Sequence, residues 1–169
     1  MRLGWRWMAA ASIAAALPQG GIAQEAVTSA TLPDGAKWTA TVPANWNGTL
    51  LLWSHGYSPV LKAPEDAAAT MRDALLSRGY ALAGSSYAEG GWALQSAVPD
   101  QFDTIAAFAR AHGRPKRVIA WGMSMGGLVT TAVAETAPRR IDGALAMCPS
   151  IGGAVGMMNM ALDLSLIHI

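Results

Sequence analysis

The 169-residue sequence contains a single cysteine, Cys148, so no disulfide can form within the chain and its stability must come from packing. Charge is scarce: Asp, Glu, Lys and Arg make up 14% of the residues, and the formal net charge is +1. That balance gives no electrostatic footing for nucleic acid or for an acidic partner. The seven Trp residues are scattered, and none sits in a basic stripe of the kind that grips single strands. Clustered His, Cys and Asp ligands and a phosphate-binding loop are missing too, so neither a metal nor an organic cofactor is expected. Hydrophobic residues, in contrast, make up 52% of the chain, which argues against disorder and for one core-rich domain. Cys148 lies in an apolar run and is expected to be a small core residue.

The first residues follow a different pattern. Arg2 and Arg6 precede the apolar run Met8 to Leu17, and Pro18, Gly20 and Gly21 come next. Small residues at Gly21 and Ala23 fit a cleavage site, so residues 1–23 are expected to be a signal peptide cut after Ala23. The apolar run is too short to span a bilayer. A secreted or periplasmic protein follows, with no stable membrane insertion after cleavage.

From Ala26 the chain alternates strand and helix patterns. The stretch VTSATLPDGAKWTATVP predicts a hairpin around a Pro33-Asp34-Gly35 turn. After an Asn47-Gly48 turn, the run Leu50 to Trp53 predicts a strand buried on both faces. A helix is expected from Pro64 to a cap at Gly79, then a strand over 80–86 and a helix from Pro99 to Gly113. That second helix would carry Phe102, Ile105 and Ala109 on one face. A strand over 117–122, a helix over 124–138 and a strand over 141–149 complete the pattern. The fold class is therefore α/β, a mostly parallel sheet with flanking helices.

The stretch GMSMGG places Ser124 in the pattern G-x-S-x-G-G, between an apolar strand and a helix. A turn this tight strains its central residue and needs small neighbours, which Gly122 and Gly126 supply. The helix N-terminus directs free N–H groups and the positive end of its dipole at the turn. Read locally, Ser124 is a nucleophile; a serine that merely caps the helix is the alternative.

On this motif and its strand–turn–helix setting, the chain resembles the α/β-hydrolase superfamily. The resemblance implies that Ser124 is the catalytic nucleophile and that Met125 N–H is one oxyanion donor. It also implies a second donor after an early strand, where this chain has SHGY: the N–H of Tyr57, with Gly56 shaping the turn and His55 as scaffold. A narrower similarity is to prolyl-oligopeptidase-like members. It rests on GSSYAEGGW, then PDQFDTIAAF, then GMSMGG, although the first segment lacks the usual arginine. Glu89 and Trp92 in that segment are candidates to line the substrate pocket; for Trp92, packing of the loop is the alternative.

The activating residues are harder to find. In the superfamily an acid and then a histidine follow the serine. Downstream of Ser124 stand only Glu135, Asp142, Asp163 and His168. Glu135 falls within the following helix, Asp142 at the far end of the sheet, and Asp163 one strand too early. His168 follows the sixth strand too closely, and the ending LSLIHI matches the translated mosaic end of a transposase-based sequencing adapter. Residues 164–169 are thus expected to be an assembly artefact, and 24–163 the N-terminal part of a hydrolase domain whose last strands are missing. The expectation is an exported serine hydrolase acting on an ester or amide (peptide) bond through an acyl-enzyme on Ser124, inactive as this fragment. Its partner would be a small-molecule or peptide substrate. An acyltransferase with the same elbow and a non-catalytic binding protein of the same fold are the alternatives.

Overall fold

The computed structural model describes residues 25–167; the expected signal peptide lies outside them. Strands β1 (Ala26–Thr31) and β2 (Lys37–Val42) form the expected hairpin. Four more strands follow: β3 (Thr49–Ser54), β4 (Ala81–Ser85), β5 (Arg117–Met123) and β6 (Gly143–Met147). They form one sheet in the order β1-β2-β4-β3-β5-β6, with β3 to β6 parallel to one another and β2 antiparallel to β4. The expected mostly parallel sheet is present.

Alternation along the parallel strands sends side chains to two faces. Leu50, Leu52, Ala81, Ala83 and Val118 pack with Ile105 and Phe108 of helix α2 (Leu94–His112). Ala120 meets Met125, Val129 and Val133 of helix α3 (Met125–Thr136) on that same face. On the other face Trp53, Leu82 and Trp121 pack with Leu76 of helix α1 (Arg72–Ser77). From β3 the chain therefore crosses to β4 over one face, and from β4 to β5 over the other. Direction reverses at β3, and in such sheets the carboxyl ends beside the reversal are where ligands collect.

Four expectations need correction. Helix α1 has six residues rather than running from Pro64, although Gly79 ends it as expected at φ 79°. Tertiary bonds compete with the helix there: Asp66 accepts from Thr41 Oγ1 (2.6 Å) and Arg72 Nε (2.9 Å), which ties the preceding segment to β2. Helix α2 starts at Leu94, five residues before Pro99, because buried Ala93 and Ala97 anchor the extra turn in the core. Pro99 lies inside this helix, where it removes one backbone bond and crowds the carbonyl one turn before it, a cost that the core packing offsets. Cys148 is exposed at φ 42°, because it follows β6 at the sheet edge instead of lying within a covered strand. Helix α4 (Gly153–Ile167) occupies residues to which the sequence pattern assigned no element.

Candidate active site

A single residue, Ser124, separates β5 from α3. Its backbone is at φ 59°, ψ −125°, a strained region for a residue with a Cβ. The turn is pinned from both sides: Ser124 N–H donates to Met147 O (3.0 Å), and Ser124 O accepts from Leu128 N–H (3.2 Å) and Ser150 N–H (3.1 Å). The side chain stays exposed. The neighbouring glycines are required by contact. A Cβ on Gly126 would overlap the carbonyl oxygen of Ser54, and one on Gly122 would stand 2.6 Å from the same atom. These close approaches bring the end of β3 against the turn.

The segment after β3 holds three more of the predicted residues, His55, Gly56 and Tyr57. Gly56 faces the turn, since a Cβ built on it would stand 3.8 Å from Ser124 Cβ. His55 is buried; its Nδ1 is 2.7 Å from Gly56 O and its Nε2 is 3.3 Å from Ser86 O. Both ring nitrogens are thus turned to backbone carbonyls rather than to the Ser124 hydroxyl. Tyr57 is exposed, and its ring centroid lies 5.7 Å from that of half-buried Trp92. The two loops carrying them are joined by a bridge in which Gly91 N–H donates to Ser58 O (2.6 Å). Met125 is buried as the first residue of α3, where backbone N–H groups lack partners within the helix. Tyr57, Trp92, Met125 and Ser124 are thus gathered at the carboxyl ends of β3, β4 and β5. Glu89 is exposed, and its contact is a long one to Ser96 Oγ (3.5 Å).

The downstream acids lie elsewhere. Asp142 Oδ2 accepts from Val118 N–H (2.8 Å) at the opposite end of β5. Glu135 is exposed near the far end of α3, and Asp163 is exposed on α4. His168 is outside the described residues. Among the described residues, no group of three or more His, Cys, Asp or Glu side chains is placed to hold a metal ion. No helix among them is long and apolar enough to cross a membrane.

Sequence reading missed Ser150 and Tyr87. Ser150 is buried and its Oγ stands 3.5 Å from Ser124 Oγ, a contact across 26 residues. Tyr87 lies inside the quoted GSSYAEGGW segment; its positive φ (58°) gives no signal in sequence, because tyrosine rarely adopts it.

No family model matches the chain. It is 31% identical over 135 residues to an o-phthalyl amidase of Xanthobacter agilis, which covers 78% of this chain and 28% of the amidase. Its structure resembles that of an esterase from Pyrococcus furiosus (TM-score 0.57, 21% identity), over 75% of this chain and 49% of the esterase. Oligopeptidase B from Leishmania major superposes with a TM-score of 0.56 at 17% identity, over 74% of this chain and 20% of the peptidase. The chain therefore spans 28% of the length of the curated amidase and about half that of the esterase. Strand order, the turn at Ser124 and these structural likenesses give the chain the α/β-hydrolase fold.

Proposed function

We propose that this chain is the nucleophile-bearing part of an exported serine hydrolase that cleaves an ester or amide bond. One observation carries the reading: an exposed serine in strained geometry lies at a strand end, below a helix N-terminus and against the Gly56 turn. Ser124 Oγ attacks the substrate carbonyl after a base takes its proton, and the oxyanion receives the N–H groups of Tyr57 and Met125. Collapse of the tetrahedral species expels the alcohol or amine and leaves an acyl-enzyme, which water then hydrolyses. The Tyr57–Trp92 pair forms one wall of the substrate site.

The reading places the activating acid and histidine in sequence beyond this chain, because none of the described downstream acids approaches Ser124. Likeness to an o-phthalyl amidase makes amides of aromatic acids the first substrates to test. In the full-length protein a fluorophosphonate probe is expected to label the wild type, and Ser124→Ala to abolish both labelling and turnover. The 169-residue chain alone is expected to show no turnover. Robust hydrolysis by that chain, or labelling that survives Ser124→Ala, would sink the reading.

A further inference from the structure

We infer that Tyr87 is a positioning residue for the oxyanion donor at Tyr57, acting through His55; this rests on the reading of Ser124 as nucleophile. Tyr87 follows β4 and is fully buried, yet its backbone is held at φ 58°. For a bulky residue that conformation is strained and persists only where the surroundings impose it. Here they do. Tyr87 N–H donates to Ser85 Oγ (2.9 Å), and Tyr87 O accepts from Ser86 Oγ (2.8 Å). Ser86 is in turn fixed to β2, its N–H donating to Lys37 O (2.8 Å) and its Oγ accepting from Lys37 N–H (3.0 Å). The strained backbone lays the Tyr87 ring on the His55 ring, with centroids 4.0 Å apart and planes 25° from parallel. The phenol donates to His55 O (3.1 Å), and burial pushes it above its ordinary range, so it remains a donor.

The consequence runs along two peptides. The bond from Tyr87 fixes the carbonyl of the His55–Gly56 peptide. The next peptide is held by the ring beneath Tyr87: a carbonyl can only accept, and of the ring's two carbonyl contacts the one from Nδ1 to Gly56 O (2.7 Å) is much shorter than that from Nε2 to Ser86 O (3.3 Å), which assigns the donated proton to Nδ1. In a planar trans peptide the C=O and N–H point in opposite directions. Drawing Gly56 O onto the ring thus turns Tyr57 N–H away from it, on a segment whose Gly56 faces Ser124. The Tyr87 stack sets the ring, the ring sets Gly56 O, and Gly56 O sets the donor. Filling the core asks for neither a strained backbone nor a hydroxyl aimed at this carbonyl.

Tyr87→Phe keeps the ring and removes the hydroxyl. In the full-length protein we expect kcat to fall about tenfold with KM within twofold, since the oxyanion exists in the transition state and not in the bound substrate. A boronic acid that forms a tetrahedral adduct on the serine should weaken by a similar factor. Ser85→Ala, which frees the Tyr87 N–H, should shift both quantities in the same direction by less, and it decides the matter if Tyr87→Phe does not fold. Values of kcat and boronate affinity within twofold of wild type, or a loss confined to KM, would overturn the proposal. Turnover that survives Ser124→Ala would instead remove the reading on which it rests.

Discussion

Ser124 is held in a conformation that its neighbours must tolerate, and the tolerance is local. Gly126 has no room for a methyl group, because the obstacle is the carbonyl of Ser54 and backbone cannot rotate away as a side chain can. Gly126→Ala is therefore expected to push α3 from β3 and to destabilise the fold by about 3 kcal/mol, within the range for overpacked sites. Urea unfolding would measure it, and a loss under about 0.5 kcal/mol would contradict the packing argument, since that is the scale of a neutral surface change. The glycines and the serine were legible in sequence because one turn imposes its demands within five residues. Ser150 and Tyr87 were not, since their contacts span 26 and 32 residues and depend on which strands become neighbours.

Among the elements, α2 carries a buried carboxyl that links it to the β1–β2 turn. Asp100 is buried, and that burial, together with the nearby Asp34, pushes it up to about 8. Asp34 moves below its ordinary value, chiefly through its hydrogen bond with Asp100. The folded protein thus keeps the Asp100 proton between about pH 4 and 8, whereas the unfolded chain releases it. The native state binds more protons across that window, so stability falls as pH rises through it, by at most about 1.4 kcal/mol per pH unit. Asp34 acts with the opposite sign, and only as pH drops below its ordinary value. Asp100→Asn retains a donor without the titration. Its urea midpoint should be nearly equal at pH 5 and pH 9, while that of the wild type drops; parallel profiles would refute the assignment. Among the described residues the sequence pattern located each strand, because period-2 and continuous apolar runs report burial directly. It misjudged α1 and the start of α2, where a half-buried ion pair and core alanines outweigh helix signals.

At the scale of the molecule, the sheet has β6 at its edge, and Leu145 on that strand is 52% exposed. Val155 and Met160 on α4 are exposed as well. An open strand edge beside exposed apolar side chains favours association. Sedimentation of the 169-residue chain should show a mean mass that rises with concentration, and Leu145→Lys should reduce the rise. A monomer throughout the concentration range would contradict this. The scarce and balanced charge offers little repulsion against such contacts.

The sequence by itself determined the α/β class, the strand–turn–helix at Ser124 and the glycines around it, because each follows from local periodicity or local sterics. Only the tertiary structure decided that β3 lies between β4 and β5, which brings SHGY against Ser124 and buries Tyr87 upon His55. Strand order depends on which faces the crossing helices cover, and that is a property of the assembled core rather than of any one segment.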